Sequence, residues 1–246
     1  PFLRDFSLHM KRGEIISLVG ESGSGKTTAI RSILGLLPQE GELVSGDILF
    51  EGKSLPEYSE KEMQKLRGSR ISMIFQDSGA MLNPIRKIGS QYIEYIQKHE
   101  KLGHKAAEEK AVAMLEAMRL SEPERIMKSY SFQLSGGMRQ RVGIAMAMTF
   151  EPELLLADEP TAALDVTTQA QIVRQMMELR DDYGTSIIVV THNLGIAAYM
   201  SDYIVVMKDG KMEDQGTREY ILHETQNAYT RSLLGAVPSV GGERYV

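Results

Sequence analysis

The sequence predicts an α/β fold: a mainly parallel sheet with helices on its faces, an N-terminal antiparallel β part, and a helical subdomain inserted midway. Three observations carry this. Short, mostly apolar runs at residues 14–19, 154–157 and 186–190 suit strands covered on both faces, and segments with helical apolar spacing follow them. The first run enters its helix through a glycine-rich turn, the opening of a βα unit. Between residues 88 and 150 strand signals vanish and only helical patterns remain.

The totals are those of a globular chain able to bury a substantial core: 246 residues, 42% hydrophobic and 25% charged. With no cysteine, disulfides, thiolate metal sites and iron–sulfur clusters are excluded, which suits a reducing compartment. No apolar run approaches the roughly 20 residues that span a bilayer. The first residues, from Pro1 to Phe6, resemble neither a signal nor a transit peptide, and without an initiator Met they are expected to begin a trimmed chain. A net charge of −5 argues against a nucleic-acid partner, and none is expected.

In chain order, Phe2, Phe6 and Leu8 form one face of an expected first strand, and Lys11-Arg12-Gly13 turns into the strand at 14–19. Gly20-Glu21-Ser22-Gly23-Ser24-Gly25-Lys26-Thr27 fits G-x-x-x-x-G-K-[ST], and the helix after it is expected to run to Pro38. A strand is expected within 46–52. Ser59 and Glu62 make a capping box for a short helix through Leu66, and 70–75 reads as a strand with Gln76 just past its end. Helices are expected at 89–99 and 105–120. The methionines here (Met114, Met118, Met127, Met138, Met146, Met148) read as core filler rather than a metal site. After the strand at 154–157 come a helix at 167–183, a strand at 186–190 and a strand at 203–207 turning into a hairpin at 208–211. Gly241-Gly242 suggests a loose tail, and no internal repeat appears.

The glycine loop is a phosphate site by its physics. Backbone N–H groups converge there, the helix N-terminus adds partial positive charge, Lys26 reaches the β and γ phosphates, and the Thr27 hydroxyl can ligate Mg²⁺. Gly20, Ser22, Gly23, Ser24, Gly25, Lys26, Thr27 and Thr28 are the candidate phosphate-binding residues. Other strands also end in polar residues: Gln76, Asp158-Glu159 and Thr191-His192. Ligands of open parallel sheets bind beyond the carboxyl ends of the strands, so these groups are candidates to meet at one Mg²⁺–nucleotide. Asp158 is placed to hold the metal with Thr27. Glu159 could polarise a water, Gln76 could sense water and metal, and His192 could donate to the γ-phosphate, although taken alone it reads as an ordinary strand-end histidine. Ser135-Gly136-Gly137, opening a helix over 142–148, is a second glycine-bearing helix start and physically a further anion site.

In this order the motifs resemble the ATPase subunit of an ABC transporter, over nearly the whole chain. The resemblance implies a single ABC ATPase domain over 1–246, with an α/β core at 1–87 and 151–246 and a helical subdomain at 88–150 carrying the Ser-Gly-Gly signature. Narrower features resemble the branch serving peptide and nickel importers: Gln76-Asp77 with Leu82-Asn83-Pro84, Leu164-Asp165-Val166-Thr167, and Tyr229-Thr230-Arg231-Ser232-Leu233-Leu234 before Ala236-Val237-Pro238. Met138, Ala162 and Asn227-Ala228 depart from the residues commonest there. The resemblance implies Mg²⁺-dependent ATP hydrolysis by paired cassettes, identical or paralogous. Ser135, Gly136 and Gly137 of one chain close onto ATP held by the other, and Asp165 belongs to the nucleotide-binding set. It further implies two transmembrane permeases, one docking a short helix near Gln76 and the helical insertion, an extracytoplasmic binding protein acting indirectly, and a peripheral location on the cytoplasmic face of the membrane. The adenine-stacking aromatic of the family is expected in a segment upstream of this chain. A soluble ABC ATPase acting on ribosomes or DNA is the alternative.

Overall fold

The computed structural model describes residues 3–39, 41–76, 81–162 and 164–236, and the backbone of 239–240 and 243–244. Expectations concerning Phe2, Asp77, Ala163, Val237, Pro238 and Gly241-Gly242 lie outside the described residues.

The chain runs β1 (Ile15–Val19), α1 (Lys26–Ile33), β2 (Leu49–Phe50), β3 (Lys53–Ser54), α2 (Glu60–Leu66) and β4 (Ile71–Ile74). Helices α3 (Ile88–His99), α4 (His104–Ala117), α5 (Pro123–Lys128) and α6 (Gly136–Met148) follow. Then come β5 (Leu154–Asp158), α7 (Val166–Tyr183), β6 (Ser186–Thr191), α8 (Leu194–Met200), β7 (Tyr203–Lys208), β8 (Lys211–Thr217) and α9 (Ala228–Gly235), with short β9 (Ser239–Val240) and β10 (Glu243–Arg244). The main sheet has the order β4-β5-β6-β1-β7-β8, parallel except for β8.

Alternation along the parallel strands divides the core, because successive side chains leave opposite faces. Ile15, Ile74, Leu155, Ala157, Ile187 and Val189 face the helices α3 to α7, packing with Tyr92, Ile96, Leu115 and Ile172. Ile16, Leu18, Ile71, Met73, Leu156, Ile188 and Val190 face Ala29 and Ile30 of α1 and Leu34 just after it. A third cluster joins Val19, Ile204 and Val206 to Leu194 of α8, Ile221, and Leu234 of α9. Each such side chain contributes about 1.5–3 kcal/mol when fully buried, so the sheet's carboxyl ends are rigidly backed. The methionines expected as filler do pack in the core: Met114, Met118, Met127 and Met148 are buried, with Met138 and Met146 against the same cluster. Among the described residues no helix is long and apolar enough to cross a membrane.

Three expectations are corrected. Helix α1 ends at Ile33, ahead of Pro38, because Leu36 N–H bonds Arg31 O at 2.9 Å and Gly35 N–H bonds Ser32 O at 3.0 Å, a glycine stop satisfying the last carbonyls. The strand within 46–52 shrinks to Leu49–Phe50, where Glu51 and Gly52, both at positive φ, turn the chain into β3. Residues 3–10 form no strand: Arg4 N–H bonds Gly210 O at 2.9 Å, but no ladder follows, although Leu3, Phe6 and Leu8 pack against the α1-side core.

Candidate functional site

The glycine loop leaves β1 at Gly20. A Cβ on Gly20 would stand 2.1 Å from the Met207 carbonyl oxygen, so only glycine lets the loop start this close to β7. Gly210 N–H, in the β7–β8 turn, bonds Ser24 O at 3.2 Å and braces the loop from the same side. Helix α1 then opens after Gly25 with no side-chain cap, leaving its first N–H groups for an anion. Ser22 and Gly23 are exposed at the tip of the loop, and Thr27 and Thr28 are half-buried in the first turn of α1. Lys26 is 5% exposed. Its Nζ donates to Gly20 O at 2.8 Å, Glu21 O at 2.6 Å and Ser24 Oγ at 3.2 Å. Burial lowers its pKa, while the nearby carboxylates of Glu159, Asp158 and Glu21 pull the other way.

Facing this loop, Asp158 ends β5, 1% exposed. Thr27 Oγ1 donates to its Oδ1 at 2.8 Å. The other oxygen, Oδ2, is buried without a hydrogen bond, with an Arg31 guanidinium nitrogen 3.7 Å away. Burial raises the Asp158 pKa; the Thr27 bond and the charge of Arg31 oppose that rise. An orphaned carboxylate oxygen beside a hydroxyl is the hard-oxygen donor set Mg²⁺ takes, together with substrate phosphates. Among the described residues no group of three or more His, Cys, Asp or Glu is placed to hold a metal ion. Arg31 was missed in the sequence. Its signal was spacing: four residues after Thr27, it shares that residue's helix face.

Next to Asp158, Glu159 adopts φ 49, rare for a residue with a side chain, and its N–H bonds Val190 O on β6 at 2.9 Å. Its Oε2 lies 2.7 Å from Nδ1 of His192, which follows β6. The carboxylate is sheltered, at 16% exposure, while the imidazole is 65% exposed. Two residues read as separate strand ends are thus one hydrogen-bonded pair. Gln76 stands exposed beyond β4 at the sheet edge, next to β5, and among the described residues it makes no hydrogen bond to Thr27 or Asp158.

The second glycine turn opens α6. Ser135 caps α6, accepting from Met138 N–H at 3.3 Å, and Ser135 and Gly136 are exposed. A Cβ on Gly137 would stand 2.8 Å from Thr168 Cγ2, so this turn is seated on the first turn of α7. There Asp165 caps the helix, accepting from Thr168 N–H at 3.0 Å and Thr168 Oγ1 at 2.7 Å, bonds that lower its pKa. Among the described residues no hydrogen bond or ion pair joins Ser135, Gly136, Gly137 or Asp165 to the Lys26 loop.

A family profile described as ABC transporter matches residues 3–162. The oligopeptide transport ATP-binding protein OppD of Bacillus subtilis (strain 168) is 46% identical over 239 residues, 97% of this chain and 67% of that protein. The chain belongs to the ABC transporter family. Another relative is the dipeptide transport ATP-binding protein DppD of the same strain, 45% identical over 237 residues, 96% of this chain and 71% of that protein. Among solved structures, the ATP-binding cassette MJ0796, a dimer in a post-hydrolysis state bound to ADP and Pi, is similar with a TM-score of 0.78 and 29% identity. The match covers 88% of this chain and 90% of that one. The fold is that of an ABC cassette, and the chain is an ATP-binding, ATP-hydrolysing member of the family. In this ABC ATPase, Lys26, the Thr27–Asp158 contact and the Glu159–His192 pair all sit at the carboxyl ends of adjacent strands β1, β5 and β6.

Proposed function

We propose that this ABC ATPase is the energy-coupling subunit of a membrane importer for small peptides. The observation carrying the catalytic half of this reading is the Glu159–His192 pair, 2.7 Å apart, beside the Thr27–Asp158 contact. The N–H groups of residues 23–28 and the Lys26 ammonium bind the phosphates. Thr27 and Asp158, with Gln76 from the end of β4, would hold Mg²⁺, which would supply charge neutralising the phosphates. Glu159 positions and polarises the attacking water. His192 orients the Glu159 carboxylate and offers its other nitrogen towards the γ-phosphate.

Ser135, Gly136, Gly137 and Asp165 serve the nucleotide of a second cassette, identical or paralogous. Their distance in bonding from their own Lys26 loop, and the dimer described for MJ0796, support this reading. Two permeases complete the assembly at the cytoplasmic face of the membrane, with an extracytoplasmic binding protein delivering cargo. Residues 88–150 act as the helical subdomain that meets a permease. An exposed apolar surface supports that contact: Ile85 at 83% and Phe132 at 66% flank the isolated Lys87–Tyr130 bridge. The names of the relatives speak for peptides as cargo. Purification from detergent-solubilised membranes tests the assignment. Recovery with two hydrophobic permeases and Mg²⁺-dependent ATPase activity is expected; recovery with ribosomes or DNA instead would overturn it.

A further inference from the structure

The Asp158 carboxylate has a neighbour that the chemistry above does not use. Asp158 is 1% exposed, and Thr27 satisfies only its Oδ1. Its Oδ2 is buried without a hydrogen bond, and a buried carboxylate with no opposite charge beside it is strongly destabilising. The Lys26 ammonium is committed to its own loop, bonding Gly20 O, Glu21 O and Ser24 Oγ. Arg31 faces the orphaned oxygen instead. A guanidinium nitrogen lies 3.7 Å from Oδ2, an ion pair too long to be a hydrogen bond. The arrangement follows from the helix. Thr27 and Arg31 stand four residues apart on α1 and share one face, so each meets a different oxygen of the same carboxylate.

Arg31 is placed to leave as well as to pair. Its backbone is fixed, because Arg31 O accepts from Leu34 N–H at 3.2 Å and Leu36 N–H at 2.9 Å. Its side chain is 43% exposed, its Nε makes no hydrogen bond, and charge alone ties the guanidinium to Asp158. With Mg²⁺ at Asp158, Arg31 would face a double positive charge across the same oxygen, and like charges so close repel. We infer that Arg31 is the resident counter-ion of the metal site, neutralising Asp158 while no nucleotide is bound and competing with Mg²⁺ for Oδ2 when ATP arrives. It thereby sets the Mg²⁺ concentration at which ATP binding tightens. A salt bridge serving stability alone would have no such effect.

This inference rests on the nucleotide and metal readings of Lys26, Thr27 and Asp158, and control variants separate them. Two quantities are measured: the unfolding midpoint without nucleotide, and ATP affinity by calorimetry over a series of free Mg²⁺ concentrations. Arg31→Gln keeps a polar side chain and loses the charge. It is expected to lower the midpoint by roughly 2–6 °C, since Asp158 loses its counter-charge. The free Mg²⁺ giving half of the tightening should fall roughly three- to tenfold, the scale of one charge removed from a partly solvated site. Arg31→Lys keeps the charge, and the contact it replaces is not bidentate, so the Mg²⁺ requirement should stay within about twofold of wild type. An unchanged or raised requirement in Arg31→Gln overturns the counter-ion role even if the midpoint falls. So does an equal shift in Arg31→Lys, because shape rather than charge would then be at work. Lys26→Ala should abolish ATP binding, and Asp158→Asn should raise the Mg²⁺ requirement. If either control behaves as wild type, it is the underlying reading of the site that fails.

Discussion

Glu159 combines a rare backbone conformation with a sheltered carboxylate. At φ 49 it sits where a side-chain-bearing residue costs on the order of 1–3 kcal/mol, and the Val190 bond to its N–H and the Ala162 N–H bond to its carbonyl hold it there. The same conformation carries the chain out of β5 and brings Oε2 to His192. Glu159→Gln preserves size, backbone and a hydrogen bond to the imidazole while removing the carboxylate proposed as the base. Turnover is expected to fall by roughly 10²-fold or more, with ATP affinity retained, in a single-turnover assay beside a binding titration. Near-normal hydrolysis by this variant would move the base to His192. Glu159 and His192 were both visible in the sequence as polar residues after apolar runs, because each is a local signal. Their pairing was not visible. It depends on β5 and β6 being neighbours, and the 27 residues between Asp158 and Ser186 that bridge the strands do not encode adjacency.

At the scale of elements, local chemistry decides where helices start. Ser59 accepts from Glu62 N–H while the Glu62 carboxylate accepts from Ser59 N–H at 2.8 Å, the reciprocal box the sequence announces. Asn227 does the same work for α9, taking two N–H groups on its side-chain oxygen and giving its amide to Glu213. Asn227→Ala is expected to cost about 0.5–2 kcal/mol, read from the denaturant midpoint. Amide exchange should accelerate in residues 228–235 before it does in β1 or β6, because the first turn of α9 loses its cap. Unchanged midpoint and exchange would mean that Thr230 and Leu234 alone hold the helix. Elements whose signals lie within one turn, such as α2, were readable in advance, whereas α6 starts at Gly136, six residues before the helix expected over 142–148. The N-terminal segment was not. Leu3, Phe6 and Leu8 have the alternation of a strand, but a strand needs a ladder partner, and beyond the Arg4–Gly210 bond none forms among the described residues. The end of α1 was misplaced for a related reason. Pro38 is the louder breaker, yet Gly35 satisfies the helix carbonyls three residues sooner.

At the scale of the whole molecule, the chain carries two glycine-bearing helix starts proposed to bind anions, α1 with Lys26 and α6 with Ser135. Neither is bonded to the other within the chain among the described residues, and each is partly exposed. Two such surfaces on one chain form two equivalent sites when two copies meet head to tail about a twofold axis. On the proposed pairing, ATP would bind the closed pair more tightly than the open one, and its hydrolysis would shift the population back. Complementation measures this directly. Lys26→Ala damages only the phosphate loop, and Ser135→Arg places a bulky cation where one chain must approach the other's nucleotide while sparing binding to its own. Each variant alone should be inactive. Random pairing of equal amounts makes half of the dimers mixed, and every mixed dimer carries both lesions in one site and an intact second site. Recovery of up to roughly a quarter of the wild-type ATPase activity is therefore expected if the sites work independently. Ser135→Arg should bind ATP normally as an isolated monomer and Lys26→Ala should not. Equal loss of monomer binding in both would place the two helix starts in one site of a single chain, and would remove the need for a partner in closing it.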